Sequence, residues 1–345
     1  MTERAPASTT VRAVDYHTGG EPFRIVVGGA PELEGRTVLE RRRWARANVD
    51  HVRRLLVHEP RGHADMYGCF VTPPDDDGAD LGVVFFHNEG YSTACGHGTI
   101  ALATWAIDEG RALADGRRAT VVVDVPSGRV ECRGSLDEAG RVISVAFRNV
   151  PSFVLAREVE IETGRGLVHV DVSFGGAFYG SVEIGSVGLA VDRASLPSLI
   201  ALQRELRPAL DARLDPRHPD EPELAGIYGI IFWGAEPAEE GAALVQRNVT
   251  VFADGEVDRS PCGSGTSARL ALLDAAAGGP LERGATLVHR SIVDSVFTAR
   301  VVGDGPTVGG EASVITEVEG SAYRTGSHAF ELDPRDPLGT GFLLR

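Results

Sequence analysis

Lysine is absent from this sequence, and all 34 basic residues among its 345 are arginine. An enzyme that carries pyridoxal phosphate as a Schiff base needs a lysine to hold it, and a phosphate-binding P-loop needs one to reach the phosphates. Neither kind of site can be built from this chain. We therefore expect its chemistry to use no cofactor.

Other features that are rare or missing in the sequence exclude further classes of protein. Four cysteines are too few for a disulfide framework in a chain of this length, which favours a reducing cytoplasm. No apolar run approaches the ~20 residues of a membrane-spanning helix, and the polar segment Met1–Thr10 lacks the apolar core of a secretory signal. The net charge of −15 and the pI near 5.1 argue against nucleic acid and anionic membranes as partners.

The composition is that of a globular protein, with 43% hydrophobic and 24% charged residues and enough length for two domains. Hydrophobic periodicity predicts an amphipathic surface helix at 40–57 and a second helix at 195–213. The predicted strands lie at 11–27 (a pair), 66–71, 81–87, 119–125, 128–133, 142–147, 168–174, 180–184, 227–233, 243–252, 287–302 and 312–319.

The most informative pattern is a motif that occurs twice. Cys95-Gly-His-Gly-Thr99 and Cys262-Gly-Ser-Gly-Thr266 each place a cysteine before a glycine-rich turn, and each turn leads into an apolar helical run, at 100–107 and 268–277. Both cysteines are therefore predicted at helix N-termini, where unpaired N–H groups and the helix dipole lower a thiol pKa and hold an anion. Because the motifs lie almost half the chain apart, we expect one site between two matched halves.

A family resemblance rests on these two motifs and on four others. The full set is Cys95-Gly-His-Gly98, Asp258-Arg-Ser-Pro-Cys-Gly-Ser-Gly265, His17-Thr-Gly-Gly-Glu-Pro22, Glu59-Pro-Arg-Gly62, Gly175-Gly-Ala-Phe-Tyr179 and Ser291-Ile-Val-Asp-Ser-Val-Phe297. With them the chain resembles the proline racemase family, which comprises proline racemases, hydroxyproline 2-epimerases and trans-3-hydroxy-L-proline dehydratases. Diaminopimelate epimerases share the paired Cys-Gly-x-Gly turns, but the histidine in the first turn and the Asp-Arg-Ser-Pro before the second cysteine favour the proline group.

The resemblance implies an α/β (α+β) fold of two pseudo-symmetric domains, each a curled, mostly antiparallel sheet around a central helix, as in diaminopimelate epimerases. Periodicity alone indicates only a mixed α/β chain in two halves. Each domain is expected to carry one of the two cysteine motifs. The predicted division is a disordered tail at 1–10, a first domain at 11–149 plus 330–345, and a second domain at 150–329.

Cys95 and Cys262 are the predicted catalytic pair. Inverting an amino acid at Cα means taking a proton from one face and returning one to the other, which a thiolate and a thiol on opposite sides accomplish. The site must also stabilise the charge that spreads into the substrate carboxylate as the proton leaves. Backbone N–H groups of the two turns are suited to this, so the predicted substrate-binding residues include Gly96, His97, Gly98, Gly263, Ser264 and Gly265.

Two further roles follow from the resemblance. Because the corresponding histidine and aspartate of the family contact the substrate, His97 and Asp258 are expected to meet its ring nitrogen. The residue-based alternative for Asp258 is backbone capping in its turn. We expect no metal, since the chain has no Cys-x2-Cys or His-x3–5-His spacing and Cys95 lies too close to His97 for a zinc pair.

Two further cysteines and four aromatic residues can be interpreted as residues of the hydrophobic core. Cys69 and Cys132 fall inside strand-like runs and are interpreted as inert core residues. Four aromatic residues are candidates for the pocket wall, although aromatics in strand-like runs more often belong to the core. They are Phe178, Tyr179, Tyr228 and Phe252.

The sequence therefore predicts a cofactor-independent isomerase that inverts the Cα of proline or a hydroxyproline with two thiols. Its expected partner is a small-molecule substrate, and homodimers are common in the family it resembles. The 4-hydroxyproline epimerases of that family tend to carry a histidine near Tyr228-Gly229, so its absence here weakens that substrate assignment and leaves proline itself open.

Two alternatives stay open. One is a lyase that dehydrates trans-3-hydroxy-L-proline with a single cysteine base. Three segments look closest to that branch, namely 17–22, 59–67 and 87–91, but dehydratases typically pair cysteine with threonine or serine with cysteine. The other is a non-catalytic anion-binding protein, which exchange of the substrate α-hydrogen would exclude.

Overall fold

The computed structural model describes residues 10–112, 114–276 and 279–344. The strands are β1 (Thr10–Thr18), β2 (Glu21–Gly28), β3 (Tyr67–Thr72), β4 (Leu81–His87), β5 (Ala114–Asp115), β6 (Arg118–Val125), β7 (Gly128–Leu136), β8 (Val142–Arg148), β9 (Ser152–Thr163), β10 (Gly166–Phe174), β11 (Phe178–Glu183), β12 (Ile227–Ala235), β13 (Leu244–Phe252), β14 (Glu256–Asp258), β15 (Leu287–Arg290), β16 (Val296–Asp304), β17 (Ser313–Gly320) and β18 (Ala322–Glu331). The helices are α1 (Val38–Asn48), α2 (Asp50–Val57), α3 (Gly96–Asp108), α4 (Leu196–Leu214) and α5 (Gly263–Asp274), with a 3₁₀ turn at Ile184–Val187.

The first half of the chain forms a ring of strands in the order β18–β1–β2–β3–β4–β6–β7–β8. Neighbouring strands are antiparallel except β2–β3 and β4–β6, which are parallel. The ring closes because β17 pairs with β8 and leads through Ser321 into β18. Helix α3 packs against strands on all sides of this ring, including β1, β3, β7 and β8.

The second half forms a matching ring in the order β9–β10–β11–β12–β13–β15–β16–β17, which closes because β17 also pairs with β9. Its parallel neighbours are β11–β12 and β13–β15. Helix α5 packs against β9, β10, β11, β16 and β17. Strand β17 is therefore shared by both rings, which ties the two halves together through backbone hydrogen bonds.

The predicted fold class is confirmed, since each half is a curled, mostly antiparallel sheet around a central helix. Both central helices are buried on every face, α3 from Gly96 to Ala106 and α5 from Gly263 to Leu272. A helix surrounded by sheet needs small and apolar side chains all round, and the runs after the two cysteines supply them. None of the helices in the described ranges is long and apolar enough to cross a membrane.

Two local expectations need correction, and strand β9 was missed. The helix predicted at 40–57 is two helices, α1 and α2, because the backbone leaves the helical region at Val49. The strand predicted at 287–302 is interrupted by a turn between β15 and β16. Strand β9 was not predicted at all, although its second part alternates apolar and charged residues in a pattern typical of a strand.

The structure changes two of the predicted domain limits, one after the N-terminal tail and one where the chain returns to the first domain. Thr10 belongs to β1, and residues 1–9 of the predicted tail lie outside the described residues. Since β18 pairs with β1 along its length, the pairing favours a return to the first domain at 322 instead of 330. With the return placed at 322, the division of the chain into two domains remains a proposal.

The predicted end of the second cysteine helix falls partly on residues 277–278, which also lie outside the described residues. Helix α5 ends at Asp274.

Candidate active site

The two central helices meet head to head at their N-termini. A Cβ atom on Gly96 would lie 2.5 Å from Cα of Gly263, and one on Gly263 would lie 2.8 Å from Cα of Gly96. Because real Cβ contacts are not this short, both positions require glycine. This contact brings together two cysteine motifs that are far apart in sequence.

Each cysteine is the N-cap residue of its helix. Cys95 is extended, with φ −154°, and its sulfur accepts a hydrogen bond from N–H of Gly98 at 3.3 Å. Cys262 instead has a left-handed φ of +62°, which a non-glycine residue adopts only when its surroundings hold it there. The Asp258 carboxylate accepts from N–H and Oγ of Ser260, and Oγ of Ser260 accepts from N–H of Cys262 at 3.1 Å. These bonds hold the turn that aims Cys262.

Both thiols line one small, nearly closed cavity between the two halves. Its free volume of about 10 Å³ is room for about one water molecule in the ligand-free protein. Its walls are almost entirely buried, with Cys95 6% and Cys262 5% exposed, while Tyr228 is partly exposed. The lining residues are Tyr67, Ala94, Cys95, Gly96, His97, Tyr179, Tyr228, Phe252, Asp258, Cys262 and Ser264.

His97 and Asp258 lie side by side in this cavity. Nδ1 of His97 is 3.7 Å from Oδ2 of Asp258, and Nε2 of His97 is 3.4 Å from the sulfur of Cys95. Oδ1 of Asp258 caps the turn through Ser260, so the alternative role of backbone capping is present too. One oxygen therefore holds the turn while the other faces the histidine and the cavity.

Six of the nine predicted site residues line the cavity, and the other three lie directly behind it. Gly98 donates its N–H to the sulfur of Cys95. Gly265 lies against the sulfur of Cys262, and Gly263 packs on Gly96. Ser264 contributes its side chain, because its Oγ lies 2.7 Å from the Tyr179 hydroxyl.

The two helix N-termini do not give low thiol pKa values in the ligand-free protein. Burial raises the pKa of Cys95 well above its ordinary value, and the Asp258 charge raises it further, while the Gly98 N–H opposes this. Burial and the Asp258 charge likewise raise the pKa of Cys262, to about 12. The helix N-termini are present, but the loss of hydration outweighs them because the sulfurs are buried away from solvent. Both thiols are therefore neutral near pH 7.

The free energy of unfolding should fall as pH rises above about 9. An unfolded thiol loses its proton from its ordinary pKa of 9.0 upward, whereas Cys262 keeps its proton until about 12. Unfolding then releases protons, so higher pH favours the unfolded state by up to ~1.4 kcal/mol per pH unit for each buried thiol. Urea unfolding of wild type and Cys262→Ala between about pH 8 and about pH 10 measures this. The variant should lose stability less steeply, and equal slopes would contradict the assignment.

The cavity wall contains both cysteines and residues of their turns, as the sequence predicts, and it also contains Tyr67 and Ala94, which the sequence did not predict. Tyr67 begins β3, and no local pattern distinguishes it from a core aromatic. Of the aromatic candidates, Tyr179, Tyr228 and Phe252 line the cavity, whereas Phe178 lines a larger cleft outside it. In residues 10–112, 114–276 and 279–344, no group of three or more His, Cys, Asp or Glu side chains is placed to hold a metal ion.

The chain is similar to known proteins over nearly its whole length. The family profile described as proline racemase matches residues 13–343. A trans-3-hydroxy-L-proline dehydratase of Bacillus cereus is 44% identical over 331 residues, which make up 96% of this chain and 97% of that protein. A 3-hydroxyproline 2-epimerase of Burkholderia multivorans is 45% identical over 341 residues, 98% of this chain and 99% of that one. The crystal structure of a hydroxyproline epimerase from Agrobacterium vitis, with bound trans-4-hydroxy-L-proline, superposes with a TM-score of 0.89 at 30% identity and covers 97% of this chain and 96% of its own.

Proposed function

The chain belongs to the proline racemase family, and we propose that it inverts 3-hydroxyproline at Cα with Cys95 and Cys262 as the two acid/base groups. The observation that carries this proposal is the placement of two free thiols, one from each half, in the wall of one small cavity. A reaction with one base needs only one of them. The ring substitution comes from the relatives, since the Bacillus and Burkholderia proteins are both named for a 3-hydroxyproline.

The proposed reaction removes the proton from one face of Cα and returns a different proton to the other face. One cysteine, as thiolate, takes the Cα proton, and the electron pair left behind spreads into the substrate carboxylate. The first-turn N–H groups of α3 and α5 that are not bonded to a cysteine sulfur have no acceptor within their own helices and stabilise that charge. The other cysteine, as thiol, then donates its proton to the opposite face of Cα. The reverse reaction uses the same groups with their roles exchanged.

Asp258 connects substrate binding to thiol ionisation. Its negative charge contributes to the raised pKa of both cysteines in the ligand-free protein. A substrate ammonium next to Asp258 and His97 would offset that charge and lower both thiol pKa values. The thiolate then becomes easier to form only when an amino acid with a cationic nitrogen occupies the cavity. This dependence also protects the free thiols from side reactions.

Dehydration of trans-3-hydroxy-L-proline is the second candidate, and the name of the Bacillus cereus relative favours it. Elimination of the 3-hydroxyl shares its first step with inversion, because both begin with removal of the Cα proton. The two reactions differ in their second step. Inversion needs the second thiol, whereas elimination needs a proton for the departing hydroxide.

Proton NMR in heavy water tests the proposal. Purified protein is incubated with trans-3-hydroxy-L-proline, L-proline and trans-4-hydroxy-L-proline in separate samples. We expect deuterium at Cα of trans-3-hydroxy-L-proline together with the signals of cis-3-hydroxy-D-proline. Consumption of that substrate to an imine or keto product without the D-isomer would assign the protein to the lyases. Absence of Cα exchange on all three substrates would contradict both candidates.

A further inference from the structure

Three hydroxyl groups form a chain beside the thiols. The Tyr67 hydroxyl donates a hydrogen bond to Oγ of Ser92 and lies 3.0 Å from the Tyr228 hydroxyl. Tyr67 and Ser92 are buried, at 1% and 2% exposure. Either hydroxyl of the Tyr67–Tyr228 pair can donate to the other. Burial raises the pKa of both tyrosines, which therefore stay protonated and able to donate.

This hydroxyl chain connects the small cavity with a larger cleft outside it. Tyr67 lines the cavity, Ser92 lines the outer cleft, and Tyr228 lines both. The outer cleft has a volume of about 560 Å³. Tyr228 is also the partly exposed member of the cavity wall, and its ring stacks on Phe252 with centroids 5.3 Å apart. The hydroxyl chain is therefore the polar part of the wall between the cavity and the cleft.

The Tyr67 end of the hydroxyl chain lies on the Cys95 side of the cavity, whereas the Tyr228 ring packs edge-on against Tyr179, with centroids 5.7 Å apart. The Tyr67 ring packs edge-on against His97, 4.9 Å between centroids, and His97 contacts the sulfur of Cys95. The Cys262 side has a separate hydroxyl pair, because the Cys262 sulfur lies 3.9 Å from the Tyr179 hydroxyl, which bonds to Ser264. The cavity is therefore polar near each thiol, and the inner end of the hydroxyl chain, at Tyr67, lies on the Cys95 side.

We propose that the Tyr67–Tyr228–Ser92 chain is the subsite for the ring 3-hydroxyl, and that Cys95 is the base for the L-isomer; both statements rest on the proposed function. A buried chain of donors and acceptors binds a hydroxylated ring better than a bare one, since a ring without the hydroxyl leaves these groups without a ligand partner. The subsite therefore selects 3-hydroxyproline over proline.

The assignment of Cys95 follows from the stereochemistry of the substrate. In trans-3-hydroxy-L-proline the hydroxyl and the carboxylate lie on opposite faces of the ring, so the hydroxyl and the Cα hydrogen share a face. A hydroxyl bound on the Cys95 side places that hydrogen toward Cys95. The Cys95 thiolate takes this proton as an S–H bond, and the Cys262 thiol gives its proton to the other face, producing cis-3-hydroxy-D-proline.

Tyr67→Phe and Tyr228→Phe test the subsite. Each should lower kcat/KM for trans-3-hydroxy-L-proline by about 10-fold and lower Cα exchange of L-proline by a clearly smaller factor. Tyr16→Phe is the matched control, because this buried tyrosine bonds to Asp108 outside the cavity. Equal losses on proline and on 3-hydroxyproline would overturn the subsite, since a structural role affects both substrates. Wild type that exchanges proline but not 3-hydroxyproline would instead refute the proposed function, before any variant is made.

Deuterium exchange in the cysteine variants tests the facial assignment. Cys262→Ser keeps Cys95 and should still exchange the Cα hydrogen of trans-3-hydroxy-L-proline. Cys95→Ser should exchange only cis-3-hydroxy-D-proline. The opposite pattern would overturn the assignment of Cys95 to the L-isomer. Thermal unfolding of each variant establishes that the exchange is measured on folded protein.

Discussion

Replacement of either Cys95 or Cys262 by serine should abolish interconversion of the two isomers, lowering the rate by about 10²-fold or more in both directions. A serine hydroxyl is nearly isosteric with the thiol but far less acidic, so the proton transfer on that face is lost. Inversion requires a transfer on each face, and therefore both variants should fail in both directions. The initial rate of optical-rotation change, started from each isomer, measures this.

The matched control is Cys132→Ala, because Cys132 is equally buried in β7 and lies outside the cavity wall. Its activity per folded molecule should equal that of wild type, whatever its stability. A Cys262→Ser variant that turns over trans-3-hydroxy-L-proline at the wild-type rate would show that one base suffices. The protein would then be a lyase, and the second thiol would have no part in its main reaction.

The second substitution with a large expected effect on the inversion rate is Gly96→Ala, at the contact between the central helices. Gly96→Ala places a Cβ atom 2.5 Å from Cα of Gly263 and 2.7 Å from N of Ser264, so the two helix ends must separate. Overpacking of this kind costs ~1–3 kcal/mol of stability. A shift of ~1 Å between catalytic groups costs about 10²-fold in rate. We therefore expect a folded protein of lower stability whose inversion rate is at least about 10²-fold below wild type.

Gly303→Ala is the control for this experiment, since a Cβ atom there meets no heavy atom within 4 Å. It should leave both stability and activity close to wild type. Urea unfolding and the rate of isomer interconversion are measured on the same samples. Wild-type activity in Gly96→Ala would contradict the close contact between the helix ends, and with it the shared site.

Much of the fold could be predicted because its signals are local. The strands β3, β4, β6 and β12 and the helix α4 fall within one or two residues of their predicted limits, since each is marked by its own periodicity and turn residues. The break at Val49 could not be predicted, because the apolar positions continue at helical spacing on both sides of it. Closure of each ring was also beyond prediction, as it depends on pairing β17 with strands far away in the sequence.

By itself, the sequence determined which residues form the centre of the proposed site. A cysteine, a glycine turn and an apolar run are neighbours along the chain, so the chemistry of Cys95 and Cys262 at helix starts follows from local rules. Only the tertiary structure decided the protonation of these thiols and the identity of the hydroxyl chain. Thiol ionisation depends on how much water and charge surround the sulfur, and Tyr67 becomes part of the site through contacts with Ser92 and Tyr228. Such properties arise between segments distant in sequence, and no local pattern records them.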